Sequence, residues 1–125
     1  MSEKILVVED NAQNRILMRQ ILTHHGYEVL EAADGLMGLE MARLHMPALI
    51  LLDIQMPVMN GFAVIRELRN DPEIRKIKAI AVTSFAMQGD RDKALQAGFD
   101  EYVTKPIDTR KLPELVKEIL SRVQP

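Results

Sequence analysis

Polar residues that could do chemistry follow directly on four short apolar runs of the sequence. In chain order they are Glu9 with Asp10, then Asp53, Thr83 and Lys105. If the four runs are parallel strands, these residues meet at the carboxyl edge of one sheet, where open α/β sheets bind their ligands. Carboxylates beside a hydroxyl and an ammonium group suit a divalent metal ion together with a phosphoryl group. The spacing therefore predicts an acidic pocket with one hydroxyl and one cation on its rim.

The composition is that of a single globular domain, which we expect to span residues 1–125. The chain is 47% hydrophobic and 27% charged, and 125 residues are enough to bury a core. Its net charge of −2 gives no reason to expect nucleic acid or an anionic membrane as a partner. A chain without cysteine has no disulfides and no thiolate metal ligands. No apolar stretch is long enough to cross a membrane, so we expect a cytoplasmic location.

Apolar runs alternate with helical patterns along the chain, which is typical of a parallel sheet with crossover helices. The acids that follow the first and third strands can meet if these strands are neighbours, as in the order 2-1-3-4-5. We therefore predict an α/β, flavodoxin-like, doubly wound (βα)5 fold with a five-stranded parallel sheet in that order. The predicted strands are 5–8, 27–31, 48–52, 78–82 and 100–104, and the predicted helices begin after Asn11 and Asp34, at Gly61, and near Met87 and Leu112.

Three carboxylates at one point of the sheet make a candidate cation site. Glu9, Asp10 and Asp53 would repel one another and raise each other's pKa values, and a hard divalent cation relieves that repulsion. A site with few protein oxygens favours Mg²⁺ over Ca²⁺. An isolated pair of acids is more often a solvated loop feature, but Asp53 at the end of a central strand favours the metal site.

Thr83 and Lys105 could serve a phosphoryl group. A lysine ammonium is a compact charge that reaches one phosphate oxygen, and a threonine hydroxyl can donate to another. Taken singly, these residues are more often a surface lysine and an ordinary β-branched strand residue. Their joint placement at neighbouring strand ends favours the phosphoryl site.

Motifs at the ends of four predicted strands occur in a specific order and spacing. They are LVVEDN at 6–11, LDIQMPVMNG at 52–61, VTS at 82–84 and YVTKP at 102–106. Together they resemble the response-regulator receiver domain of two-component signalling, and the resemblance covers Lys4 to about Val123. It implies that Asp53 accepts a phosphoryl group from a histidine kinase or a histidine phosphotransfer protein.

The resemblance also implies the metal site. Mg²⁺, for which Mn²⁺ can substitute, would be held by Glu9, Asp10, Asp53 and the backbone carbonyl of Gln55. Such a protein is a signalling phospho-acceptor and not an enzyme in the usual sense. The only expected chemistry is self-phosphorylation from donors and autodephosphorylation.

Further roles follow from the same resemblance. Thr83 would be the switch hydroxyl, Tyr102 the switch aromatic and Lys105 the phosphate partner. The resemblance assigns structural roles at the site to Pro57, Gly61, Ser84 and Pro106. Two variable positions, Gln55 and Phe85, would tune the lifetime of the phosphoryl group and access to it.

The expected downstream partner is a target protein that binds the face formed by the fourth helix, fifth strand and fifth helix. We expect a monomer, with weak dimerisation as the alternative. The ends of the sequence favour a stand-alone receiver, of the kind found in chemotaxis, sporulation and cell-cycle relays. The alternative is an excised receiver of a larger multidomain regulator or hybrid kinase.

Other classes of protein share parts of this pattern. Phosphohydrolases of the haloacid-dehalogenase class also use an aspartyl phosphate, Mg²⁺ and lysine. They generally carry a second Asp two residues after the nucleophile, where this chain has Gln55, which cannot protonate a leaving group. A flavin-binding module is disfavoured by the scarcity of aromatic residues. A degenerate receiver that only binds partners is disfavoured by the intact set of acids.

Overall fold

Five parallel strands form one sheet in the computed structural model, which describes residues 2–84 and 89–122. The sheet has the order β2-β1-β3-β4-β5, which confirms the predicted order. The strands are β1 (Lys4–Val8), β2 (Glu28–Ala32), β3 (Leu49–Asp53), β4 (Lys78–Thr83) and β5 (Glu101–Thr104).

Five helices alternate with the strands in these same ranges, and the doubly wound fold is confirmed. They are α1 (Ala12–His24), α2 (Gly35–His45), α3 (Gly61–Asn70), α4 (Asp90–Ala97) and α5 (Lys111–Ser121). Three expectations fall outside the described residues: the start of the fourth helix near Met87, the role of Phe85, and the end of the resemblance near Val123. None of these five helices has the length and apolar character that a membrane crossing requires.

Two apolar clusters cover the two faces of the sheet. Alternate residues of β1 point to opposite sides, so that Ile5 and Val7 pack with α1 and α5 while Leu6 and Val8 pack with α2 and α3. Every residue of β3 is buried, as expected for the central strand of a sheet covered on both faces. Because each fully buried Leu or Ile contributes about 1.5–3 kcal/mol, the centre of the sheet is a firm support for its carboxyl edge.

Side-chain caps fix the helices that follow the carboxyl ends of three strands. The side-chain oxygens of Asn11, Asp34 and Asn60 each accept a backbone N–H in the first turn of α1, α2 and α3. Caps of this kind are each worth about 1 kcal/mol. They hold the short loops between strand and helix, and these loops carry the residues of the site.

Candidate functional site

The three predicted carboxylates lie together at the carboxyl edge of the sheet. Val8 pairs with Leu52 across β1 and β3, so the residues that follow this pair, Glu9 and Asp53, lie side by side. One carboxylate oxygen from each of Glu9, Asp10 and Asp53 lies within 4.8 Å of the others. Glu9 is 0% and Asp53 1% exposed, whereas Asp10 faces solvent. The acids thus form a buried pair with a third, exposed carboxylate at its mouth.

Lys105 reaches this pair of acids from β5. Its Nζ lies 2.7 Å from Glu9 Oε1 and 3.3 Å from Asp53 Oδ2. Thr104 pairs with Thr83, and the Lys105 N–H then donates to the Thr83 carbonyl at 2.8 Å, which fixes the start of the lysine side chain. The following peptide bond, to Pro106, is cis. The structure therefore brings the predicted cation to the predicted acids.

The proximity of these charges changes their proton affinities. Burial, with the hydrogen bond and charge of Glu9, raises the pKa of Asp53 to about 7, although Lys105 lowers it. Burial also acts to raise the pKa of Glu9, but contacts with Asp53 and Lys105 outweigh burial and hold it below its ordinary value. The pKa of Lys105 is raised: burial lowers it, but Glu9 and Asp53 have the larger combined effect. The pKa values of the two buried acids are therefore shifted in opposite directions, and of the two Asp53 is the one that binds a proton more tightly.

The arrangement of oxygens fits a hard divalent cation. Within residues 2–84 and 89–122, Glu9 Oε1 is the one buried side-chain oxygen that accepts no hydrogen bond of normal geometry. Lys105 forms an ion pair with this oxygen but lies outside hydrogen-bonding angles. An under-coordinated, buried carboxylate oxygen beside two further carboxylates is the donor set that Mg²⁺ takes, with water completing its shell.

Gln55 connects the acids to the end of β4. Its backbone N–H donates to Asp53 Oδ1 at 3.1 Å, and its side-chain Nε2 donates to Thr83 Oγ1 at 2.6 Å. The Ser84 N–H donates in turn to Gln55 Oε1 at 2.9 Å. Our sequence analysis considered the Gln55 backbone carbonyl and missed this side-chain contact. The available signal was a long amide side chain placed directly after β3, opposite the Thr83 hydroxyl on the neighbouring strand.

The loop between β3 and α3 leaves no space at Gly61. A Cβ atom at this position would lie 2.7 Å from the backbone oxygen of Asp53 and 2.8 Å from the Cα of Ile54. The Gly61 N–H donates to the Ile54 carbonyl, and the Pro57 carbonyl accepts from Met59. The glycine thus allows the loop to fold back closely under the buried Asp53.

Tyr102 lies on β5, half-buried, beside an opening that leads to Thr83. The opening has a volume of about 260 Å³, and Gln55, Phe62 and Lys93 also line it. Thr83 itself is only 3% exposed. Space is therefore present between the predicted switch hydroxyl and the predicted switch aromatic.

The sequence also matches the model of a known protein family. The model of the response regulator receiver domain matches residues 5–117. The chain belongs to this family. It is therefore a receiver domain of two-component signalling, as the four motifs predicted.

Individual receiver proteins match over almost the whole chain. The polar-differentiation response regulator DivK of Brucella ovis is 42% identical over 120 residues, which cover 96% of this chain and 98% of DivK. The chemotaxis protein CheY4 of Vibrio cholerae matches with a TM-score of 0.89 at 25% identity, over 95% of this chain and 99% of that one.

A third similar protein has been solved with metal. The receiver domain of a sensor histidine kinase from Pseudomonas aeruginosa has a TM-score of 0.89 and 34% identity, over 98% of this chain and 100% of that one. Its structure is described as having a magnesium ion coordinated in the active-site cleft. These likenesses confirm the flavodoxin-like fold of this receiver.

Proposed function

We propose that this receiver is the phospho-acceptor of a two-component phosphorelay and that Asp53 is the residue that accepts the phosphoryl group. The observation that carries the proposal is the position of Asp53. It is buried at the end of the central strand, within 4.8 Å of two further carboxylates and 3.3 Å from an ammonium group. In the described ranges no other group of three metal-ligating side chains comes together in this way.

The donor would be a histidine kinase or a histidine phosphotransfer protein. A carboxylate oxygen of Asp53 attacks the phosphorus of the donor's phosphohistidine in line, the P–N bond breaks, and the imidazole leaves. An acyl phosphate on Asp53 is the product. Attack requires the ionised carboxylate, which a divalent cation held by the neighbouring acids would favour.

The residues around Asp53 have distinct parts in this reaction. Glu9, Asp10, Asp53 and the Gln55 carbonyl would hold Mg²⁺, which supplies charge neutralisation for the phosphoryl oxygens. Lys105 already pairs with Asp53 and offers its ammonium group to the incoming phosphoryl oxygens. Together with Lys105, a cation held by these acids would offset the charge of about −1.5 to −2 that a phosphoryl group carries.

The response would travel from Thr83 to Tyr102. The Thr83 hydroxyl can turn towards a phosphoryl oxygen, and the opening between the two side chains can admit the ring. The affected surface is the face formed by α4, β5 and α5, to which a downstream target protein would bind. A phosphoryl group needs to favour this second arrangement by only a few kcal/mol to shift the population.

The proposed function includes a location, an oligomeric state and a class of partner. We assign one receiver domain to residues 1–125, acting in the cytoplasm as a monomer. It binds proteins and not nucleic acid, in keeping with its net charge of −2. A phosphohydrolase shares parts of this pattern, but it would need a general acid at the position of Gln55. An amide side chain cannot protonate a leaving group, which argues against that class.

Phosphorylation by a small donor tests the assignment of Asp53. Incubation with acetyl phosphate and Mg²⁺ should add one phosphate that hydroxylamine removes, and Asp53→Asn should abolish this labelling. The matched control is Asp92→Asn, an exposed acid on α4, which should be labelled like the wild type. Labelling of Asp53→Asn at the wild-type level would refute the proposal.

A further inference from the structure

The Gln55 side chain joins the two strand ends on either side of the proposed phosphoryl position. We call the pair of contacts that it makes with Thr83 Oγ1 (2.6 Å) and the Ser84 N–H (2.9 Å) the Gln55 bridge. The base of the bridge is fixed as well, because the Gln55 N–H donates to Asp53 Oδ1 at 3.1 Å. One residue therefore contacts the acceptor, the hydroxyl and the next backbone N–H at once.

Strand pairing places Asp53, Thr83 and Ser84 next to one another at the carboxyl edge of the sheet. Asp53 pairs with Val82, and the Ile54 N–H donates to the Val82 carbonyl at 2.9 Å. Thr83 and Ser84 follow Val82 directly, so they lie next to the loop that carries the acceptor. They are the groups at the end of β4 that can approach a phosphoryl group on Asp53.

The chemistry of the bridge competes with that of a phosphoryl group. Phosphoryl oxygens accept hydrogen bonds, as Gln55 Oε1 does from the Ser84 N–H. The Thr83 hydroxyl oxygen accepts from Gln55 Nε2, and this short contact fixes where the hydroxyl lies. The Ser84 N–H has a single hydrogen, so it cannot donate to a phosphoryl oxygen while it donates to Gln55. The Thr83 hydroxyl keeps its own hydrogen, but its oxygen cannot move towards a phosphoryl oxygen without leaving Gln55 Nε2.

We propose that the Gln55 side chain is a positioning residue that holds Thr83 and Ser84 in the unphosphorylated arrangement, and that a phosphoryl group on Asp53 must displace it. In the resting protein the amide thus holds in place the Thr83 oxygen and occupies the Ser84 N–H, and both groups are ones that the phosphoryl group later uses. This inference rests on the proposed function of Asp53. It adds that one specific side chain, that of Gln55, stabilises the resting state. This side chain would therefore set how readily the switch responds to phosphorylation.

The size of the effect follows from the net worth of a hydrogen bond. One such bond on a partly exposed site changes an equilibrium constant by about two- to tenfold. Replacing Gln55 by methionine keeps the length of the side chain and removes both contacts. The variant should therefore bind the phosphoryl mimic beryllofluoride, with Mg²⁺, about three- to tenfold more tightly than the wild type.

Binding of beryllofluoride is measured for the wild type, Gln55→Met and the control Gln20→Met, which makes the same replacement on the exposed surface of α1. Gln20→Met should bind like the wild type. Equal or weaker binding by Gln55→Met, with wild-type binding intact, overturns the inference and leaves the proposed function standing. Failure of the wild type to bind the mimic would instead refute the proposed function, and this inference with it.

A double-mutant cycle separates positioning from a general loosening of the loop. If Gln55 acts through Thr83, the gain in affinity from Gln55→Met should shrink in a Thr83→Val background, where one of the two contacts is already lost. An undiminished gain in that background would contradict action through Thr83.

The wild-type protein provides a second measurement that needs no variant to fold. The side-chain amide resonances of Gln55 and the backbone amide of Ser84 should both shift when beryllofluoride binds. If the Gln55 side-chain resonances stay unchanged while those around Asp53 move, the bridge persists and the proposal is wrong.

Discussion

Lys105 Nζ lies 2.7 Å from Glu9 Oε1, which is closer than its 3.3 Å to Asp53 Oδ2. The charge of the lysine is therefore offset first by the glutamate. Asp53 is left with a buried environment and a negative neighbour, and both raise its pKa. The proposed acceptor is thus the acid that the pocket stabilises least in its ionised form, which is a suitable property for a group that must become a nucleophile.

Stability should fall as the pH rises towards neutrality. Because folding raises the pKa of Asp53 to about 7, the folded protein binds this proton more tightly than the unfolded chain does. The resulting contribution is fully present below about pH 4, the ordinary pKa of Asp, and is lost as the pH rises through 7. An asparagine at this position cannot ionise, so Asp53→Asn does not lose stability in this way. Its free energy of unfolding at pH 8 should exceed that of the wild type by at least about 1.4 kcal/mol, the equivalent of one pKa unit.

Urea denaturation at pH 5 and pH 8, with a chelator present, measures this difference. The pKa of Glu9 is shifted in the opposite direction, so the contribution of Glu9 is lost only at a pH more acid than either measurement. Equal gains for the variant at both pH values would mean that Asp53 is ionised throughout.

Metal affinity should depend on Asp10 while stability should not. Asp10 is exposed at the mouth of the site, so Asp10→Asn should weaken Mg²⁺ binding by about tenfold or more, because it removes a charged oxygen from a cation with few protein ligands. Its free energy of unfolding without metal should stay within about 0.5 kcal/mol of the wild type. Calorimetric titration checks the affinity, with Asp92→Asn as the control. Wild-type affinity in Asp10→Asn would exclude Asp10 as a ligand.

The signal should fail to reach β5 when the Thr83 hydroxyl is removed. In the wild type, beryllofluoride should shift the amide resonances of Tyr102 as well as those around Asp53. In Thr83→Ala the shifts should remain near Asp53, because the group that connects the two strands is missing. Thr109→Ala, an exposed threonine before α5, serves as the control. Identical shifts at Tyr102 in both proteins would rule out Thr83 as the connection.

Arg69 should be a major contributor to stability. Its guanidinium donates to the carbonyls of Gly98 at 2.8 Å and Ile77 at 2.5 Å, and it pairs with Asp100 at 3.2 Å. Arg69→Ala would leave these partly buried acceptors without their donor, at a cost of about 2–4 kcal/mol. The exposed pair formed by Arg43 provides the comparison, since Arg43→Ala should cost no more than about 1 kcal/mol. Thermal denaturation measures both, and similar losses would contradict the distinction.

The architecture and the membership of the site could be predicted because they depend on patterns close together in the sequence. Apolar runs that end in Glu9, Asp53 or Thr83 indicate both a strand and the polar group at its end. The helix starts were equally local, since Asn11 and Asp34 accept the hydrogen bonds expected of caps.

The hydrogen bonds within the site could not be predicted in the same way. Whether Gln55 reaches Thr83 depends on a rotamer and on the distance between two strands. The opposite pKa shifts of Glu9 and Asp53 depend on burial, on the contact between the two acids and on their distances to Lys105, which are 2.7 Å and 3.3 Å. Patterns of residue type carry no information at that scale.

The position of β5 at the edge of the sheet has a consequence for how the protein matures during synthesis. The amino-terminal part of a chain is synthesised first, so that Glu9 and Asp53 exist before β5 and Lys105 do. A chain synthesised only through β4 carries the carboxylates but lacks Lys105, which follows β5. The acidic pocket therefore acquires its internal cation only when the last strand docks, so that an unfinished chain has no complete site to offer a phosphodonor.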